Sequence, residues 1–163
     1  MIAAVSTNGI IGLKDNGYKI PFYYPEDLKL FKSLTLNSTV IMGRNTYTSL
    51  KKPLANRTNV VITSSKLDNV ICHTALPNAL GSSYEYDDIW LIGGSAIYEE
   101  GMRYVEEIYL TLVPDFIYGK DFIYGKDLIK FPFINPLIFN LDTYRVIPQD
   151  NRLKQAIYKR RAI

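Results

Sequence analysis

Short apolar runs of strand type alternate along the 163 residues with segments of helical spacing, which predicts an α/β domain whose largely parallel sheet is buried on both faces. A second observation modifies the first: near the C-terminal end two strand-like runs flank Gln149-Asp150-Asn151-Arg152, the pattern of an antiparallel hairpin that closes the sheet. Length is the third. A chain of this size can bury roughly 70% of the surface it exposes when unfolded, so one core suffices without disulfide or metal staples.

Strands are expected at residues 2–5, 39–42, 59–63, 70–72, 89–92 and 108–112. The first has no basic flank and no cleavage site, and reads as a strand rather than a signal peptide. A helix over 25–36 opens with Pro25 at its first position and sets Asp27, Leu28, Phe31 and Leu34 near one face. Shorter helices fit 45–50, 77–80 and 95–102, and the hairpin strands are 144–148 and 153–159. The polar stretches 64–69 and 81–88 read as surface loops, too short to be domain linkers.

After the last parallel strand, Asp115-Phe116-Ile117-Tyr118-Gly119-Lys120 is followed at once by an identical copy, 121–126, and then by Asp127. A solenoid needs more and larger units. A tandem duplication tolerated in a hairpin loop is the simpler account, and an even insertion keeps the side-chain period of the flanking strands.

Composition removes several classes of function. The single Cys72 cannot form an internal disulfide, and together with the single His73 it falls short of the ligand set of a structural zinc site, so no metal is expected. As neighbours on a strand these two side chains point to opposite faces, which argues against a Cys–His nucleophile pair. Nineteen Lys and Arg against sixteen Asp and Glu leave a dispersed +3. That is no dedicated nucleic-acid surface, though it suits a small anionic ligand. No apolar stretch approaches the length of a membrane span, and the cytoplasm is the expected location. Gly-x-Ser-x-Gly and the Walker phosphate loop are both missing, and Lys159-Arg160-Arg161 reads as a solvated chain end.

Three segments place small residues and polar donors at a strand end. In Met42-Gly43-Arg44-Asn45-Thr46, Gly43 permits close backbone approach, Thr46 offers a hydroxyl and an amide in the first helical turn, and Arg44 adds fixed charge. Leu91-Ile92-Gly93-Gly94-Ser95-Ala96 sets two glycines before a helix start, and Thr63-Ser64-Ser65-Lys66 follows another strand. Paired glycines alone are usually a turn. Three such segments at the carboxyl ends of parallel strands, where α/β sheets bind ligands, point to a ligand with several phosphates.

One acid stands out. Asp27 sits in the first turn of its helix, where a carboxylate ordinarily complements the dipole, as Glu26 would. Its placement with Leu28 and Phe31 sets it against apolar walls, and such desolvation favours the protonated form, preparing a proton donor or a carboxylate that grips a cationic ring.

These residues match a known pattern. Ile2-Ala3-Ala4-Val5, Ile11-Gly12, Pro21, Pro25-x-Asp27-Leu28-x-x-Phe31-Lys32 and Val40-Ile41-Met42-Gly43-Arg44-x-Thr46 closely resemble dihydrofolate reductase. The likeness continues through Pro53-Leu54-x-x-Arg57, Thr63-Ser64-Ser65, Ile92-Gly93-Gly94-Ser95-x-Ile97-Tyr98, Tyr109-Leu110-Thr111 and Phe131-Pro132, covering nearly the whole chain in order. The resemblance implies a single domain with a central, mostly parallel eight-stranded sheet flanked by helices and ending in the antiparallel hairpin. It implies NADPH-dependent reduction of 7,8-dihydrofolate to tetrahydrofolate, supplying one-carbon metabolism and thymidylate and purine synthesis. Expected ligands are dihydrofolate, NADPH and antifolate inhibitors, with no nucleic acid or membrane partner and a monomeric chain.

By the same resemblance Asp27, helped by Thr111, binds the pterin amino and ring N–H groups and raises the proton affinity of the ring nitrogen, with a water as direct donor. Ile2, Ala4, Leu28, Phe31, Leu50 and Leu54 surround the substrate with Lys32, and Arg57 takes its glutamate carboxylate through a planar fork. Ala4, Ile11 and Ile20 would contact the cofactor, as would Gly43, Arg44, Asn45 and Thr46. So would Thr63, Ser64, Ser65 and Lys66, and the run Ile92, Gly93, Gly94, Ser95, Ala96, Ile97 and Tyr98. Gly93 and Gly94 would be joined by a cis peptide, and Arg44 with Ser65 or Lys66 would hold the adenosine 2'-phosphate.

Three departures are visible. Phe22 follows Pro21 where the family usually has Trp at the catalytic centre, so a water held by an indole N–H loses that donor, and Trp90 lies in a strand elsewhere. The loop from Leu13 to Ile20, expected to cover the nicotinamide, is longer than in compact bacterial members. The duplication occupies the hairpin that abuts this loop. A pterin- or flavin-precursor reductase on the same fold is disfavoured by Asp27 with Arg57, which suit the two ends of a folate; the alternative is a catalytically impaired NADPH-binding protein.

Overall fold

The computed structural model describes residues 1–14, 17–119 and 127–162. The second hexapeptide copy, with Lys120, lies outside the described residues, so the expected lengthening of the hairpin is not placed by them. Ten strands and four helices are described, in the order β1 (Ile2–Val5), β2 (Ile10–Leu13), α1 (Pro25–Thr35), β3 (Thr39–Gly43), α2 (Arg44–Leu50), β4 (Thr58–Ile62), β5 (Ile71–His73) and α3 (Leu76–Leu80). There follow β6 (Ile89–Leu91), α4 (Ser95–Gly101), β7 (Glu107–Leu112), β8 (Leu128–Lys130), β9 (Phe139–Val146) and β10 (Lys154–Arg160).

The parallel character expected from the apolar runs is present: β5, β4, β3 and β6 form one all-parallel ladder, and β1 pairs parallel with β7. The hairpin is present too, since β10 runs antiparallel to both β7 and β9. The described ladders stop between β6 and β1, giving two four-stranded sheets and a separate β2–β8 pair. Burial explains the apolar runs. Val40, Ile41 and Met42 are all fully buried, yet Ile41 belongs to one core cluster while Val40 and Met42 belong to another. Successive residues of one strand therefore fill both faces, worth about 1.5–3 kcal/mol for each side chain.

Three strands differ from expectation for tertiary reasons. β2 and β8 are too short to carry a period, and become strands only by pairing across the chain, Gly12 opposite Ile129. The first hairpin strand begins at Phe139, well before residue 144, because pairing with β10 continues past a register shift at Ile157/Tyr158. The basic end is also less solvated than expected: Arg160 donates to the carbonyls of Val105 (2.9 Å) and Met102 (2.7 Å) and lies 4.8 Å from the Phe139 ring.

What the fold positions is a convergence of strand ends. The Gly43 amide donates to the Gly93 carbonyl (2.7 Å), fastening the end of β3 to the segment that opens α4. The buried Tyr98 hydroxyl of α4 donates to the Ile2 carbonyl of β1 (2.8 Å). Ring and backbone thus bridge the two four-stranded sheets.

Candidate active site

Where β1, α1, α2 and α4 meet, a cavity of about 500 Å³ opens. Its floor is apolar, with Ile2, Ala4, Ile92 and Ile97, and one wall is the start of α1. Pro25 can open that helix because the first-turn amides need no helical partner, and the two acids Glu26 and Asp27 stand in the favourable first turn. They diverge from there. Glu26 pairs with Lys29 (2.9 Å) at the surface, whereas Asp27 faces the cavity between Leu28 and Phe31. Burial pushes the Asp27 carboxyl above its ordinary value, partly opposed by a hydrogen bond from the Thr111 hydroxyl of β7. Leu28, 47% exposed, spends its side chain on this wall rather than on the core.

The opposite wall is built from two helix starts. Gly43 and Gly94 are the residues before α2 and α4, neither helix has a side-chain cap, and Gly93–Gly94 is a cis peptide. A Cβ on Gly94 would stand 3.5 Å from the Thr46 hydroxyl, and one on Gly43 3.5 Å from Ile97 and 3.7 Å from the Gly94 nitrogen. The space between them is therefore kept open by glycine. Arg44, Asn45, Ser95 and Ala96 complete this wall, and Arg44 is the one Lys or Arg among the described lining residues.

The structure thus brings together most of the expected positions, including Ile11, Ile20, Leu50 and Tyr98. Others stand apart. Phe22, expected at the catalytic centre, packs with Tyr24 and Leu30 onto Val113, Ile147 and Leu153, because an apolar ring has no donor to spend at a polar wall. Thr63, Ser64, Ser65 and Lys66 are not cavity-lining; they continue β4 beyond Ile62, which is, and the last three are exposed. Lys32 is exposed on α1. Leu54 and Arg57 line a second, shallower depression.

Arg57 is nonetheless joined to the cavity. Its Nη1 donates to the Thr35 hydroxyl (3.0 Å), its Nε to the Ala55 carbonyl (3.0 Å), and its guanidinium carbon lies 5.9 Å from the ring of Phe31. Thr35 is fully buried and donates in turn to the Phe31 carbonyl (2.8 Å). Asn59 accepts from the Leu54 amide (2.9 Å) and donates to the Leu54 and Arg57 carbonyls, closing the turn that carries Arg57.

Several lining residues escaped the sequence reading. Ser49 and Glu100 lie one helical turn beyond Thr46 and Ile97, so periodicity was a usable signal for them. Ile129 arrives from β8, and Tyr18 from a bend where Gly17 and Tyr18 both have positive φ; neither had a local signal.

A sequence profile described as dihydrofolate reductase matches residues 1–155. The dihydrofolate reductase of Buchnera aphidicola subsp. Acyrthosiphon pisum is 43% identical over 122 residues, 73% of this chain and 74% of that protein. That of Haemophilus influenzae is 31% identical over 156 residues, 93% and 91% of the two chains. A solved dihydrofolate reductase from Enterococcus faecalis, complexed with NADP(H) and RAB-propyl, superposes with a TM-score of 0.81 over 99% of this chain and 95% of its own, at 26% identity. With the acid on α1 and the glycine-edged helix starts sharing one cavity, and with a family match spanning nearly the whole sequence, the chain belongs to the dihydrofolate reductase family.

Proposed function

We propose that this chain reduces 7,8-dihydrofolate to tetrahydrofolate with NADPH, and that Asp27 is the group on which turnover depends. The observation that carries the reading is Asp27 itself, a desolvated carboxyl bonded by Thr111 on the wall of the cavity that also receives the two glycine-edged helix starts.

The residues fit a dinucleotide. Uncapped amides before α2 and α4 suit phosphate oxygens, and the glycine-kept gap between them admits a chain that side chains would fill. Gly43, Thr46, Gly94, Ser95 and Ala96 would hold the pyrophosphate, and Arg44 the 2'-phosphate, with Ser64, Ser65 or Lys66 reaching it from beyond Ile62. Ile11 and Ile20 would border the ring end. NADPH supplies the hydride when bound.

The protein's own work is orientation and proton affinity. Asp27 accepts the pterin's amino and ring N–H groups on its two oxygens while Thr111 holds one of them in place. Charge on Asp27 raises the proton affinity of the adjoining ring nitrogen, and a water delivers the proton. Leu28, Phe31, Leu50 and Ile2 keep that carboxylate dry, which strengthens its grip. Arg57 has spent Nε and one Nη1 proton within the protein, and its remaining N–H groups take the substrate's glutamate carboxylate, with Lys32 nearby. Phe22 gives the water no donor, so Asp27 alone orders it.

The same reading makes the chain a cytoplasmic monomer sensitive to antifolates. It also joins β6 to β1, so that the two four-stranded ladders form one sheet of eight. Following NADPH oxidation with dihydrofolate tests the function. Turnover is expected, with a loss of about 100-fold or more in Asp27→Asn at neutral pH. No turnover by the folded wild type would leave the impaired-enzyme alternative in its place, and an unaffected Asp27→Asn would refute the role of the acid.

A further inference from the structure

We infer that Tyr24 and Asp115 form a positioning pair that holds the head of α1 against the end of β7 and thereby sets the contact between Asp27 and Thr111. The inference rests on the reading of Asp27 given above. Two rungs join these segments. The Thr111 hydroxyl acts on the Asp27 carboxyl and lowers its pKa, and Tyr24, three residues before Asp27, donates its hydroxyl to Asp115, four residues after Thr111. Both connect the same helix start to the same strand end.

Each side of the second rung is itself fastened. Tyr24 is the residue before α1, its carbonyl accepts the Leu28 amide (3.3 Å), and α1 lacks a side-chain cap. Its ring lies 5.0 Å from the Arg152 guanidinium, whose fork is held on Asp150 at 2.8 and 2.6 Å. Phe22, Tyr24 and Leu30 share the apolar cluster of Val113, Ile147 and Leu153. On the other side, the Asp115 carbonyl accepts the Thr7 amide (2.8 Å), and Asn8 pairs with both backbone groups of Ile117 (2.8 and 3.1 Å). A carboxylate acceptor makes the Tyr24 bond one of the stronger kind.

The pair also bears on the duplication. Asp115 is the first residue of the first copy. Tyr24 therefore holds the residue at which the first copy begins. Removing either copy leaves the same chain, with an Asp still following Pro114. The rung survives.

The charged and titratable groups that bear on Tyr24 are Asp115, Asp150 and Arg152. Asp27 bears on Tyr98, whose hydroxyl is committed to the Ile2 carbonyl. The Thr111 bond favours the ionised acid, so loosening it raises the Asp27 pKa, and the acid fall of activity, where Asp27 loses its charge, moves to higher pH.

The test is the pH profile of dihydrofolate reduction at saturating NADPH for Tyr24→Phe, Asp115→Asn and the double variant, beside Asp27→Asn. Tyr24→Phe keeps the ring and removes only the hydroxyl. The expected result is a loss of about threefold to tenfold in kcat/KM for dihydrofolate, a shift of the acid limb to higher pH, unchanged NADPH affinity, and a double variant no worse than the poorer single. An inactive Asp27→Asn beside a Tyr24→Phe profile superimposing on wild type would overturn the pair alone, as would single losses that multiply in the double variant. A fully active Asp27→Asn would overturn the reading of the acid, and the pair with it.

Discussion

Asp27 and Arg57 are the two ionisable groups that the proposed function sets at the two ends of one substrate, and the molecule controls them in different ways. Asp27 is governed by its surroundings: apolar neighbours and burial raise its pKa, and one hydroxyl opposes them. Arg57 sits half-exposed in a shallow depression, and neutral partners, a buried threonine and a backbone carbonyl, decide where its fork points. Burial lowers its pKa without discharging so strong a base. On the proposed reading one end is tuned for proton affinity and the other for geometry, as a reacting ring and a spectator carboxylate would require.

Replacing each group should separate these two kinds of control. Asp27→Asn carries the largest effect, and it should gain stability while losing activity. The folded pKa of Asp27 lies above its unfolded value, so wild type bears no penalty below the ordinary carboxylate range and loses stability as pH rises through the folded pKa. Melting curves should show the variant more stable at neutral pH and the gap closing in acid. A gap independent of pH would mean that burial of this carboxyl costs nothing.

Arg57→Lys comes next, because a point charge cannot reproduce a held fork: the KM for dihydrofolate should rise about tenfold. The KM for a pterin lacking the glutamate should stay level. Equal losses on both would break the division between the two ends. Thr35→Val tests whether a neutral partner sets that fork, and a KM increase of about threefold is expected, restored by Thr35→Ser. Failure of Thr35→Ser to restore it would point to packing instead. The smallest effect belongs to deletion of 121–126, which should leave one cooperative unfolding transition because it removes one of two identical copies, an even number of residues that keeps the side-chain period. A broadened or split transition would contradict that.

Much of this was legible in order of residues, and the exceptions share a cause. The desolvation of Asp27 follows from Leu28 beside it and Phe31 one helical turn away, and local spacing was enough. The second rung joins Tyr24 to Asp115 across 91 positions, and the fork of Arg57 reaches Thr35 across 22, so no local pattern announces them. Phe22 shows the same limit from the other side. Its place after Pro21 suggested the catalytic centre, whereas the cluster of Val113, Ile147 and Leu153 takes the ring.

Sequence by itself determined the alternation of elements, the two-faced burial of the parallel strands, the two glycine-edged helix starts and the acid between apolar neighbours. All of these depend on periods of two to four residues, which chain geometry imposes wherever the chain is. Only the tertiary structure decided that Gly43 and Gly93 meet, that β2 finds β8, and that Thr63 to Lys66 lie beyond the cavity lining. Those outcomes depend on which distant segments share a core, and closing long loops is favourable only when the whole set of contacts forms together.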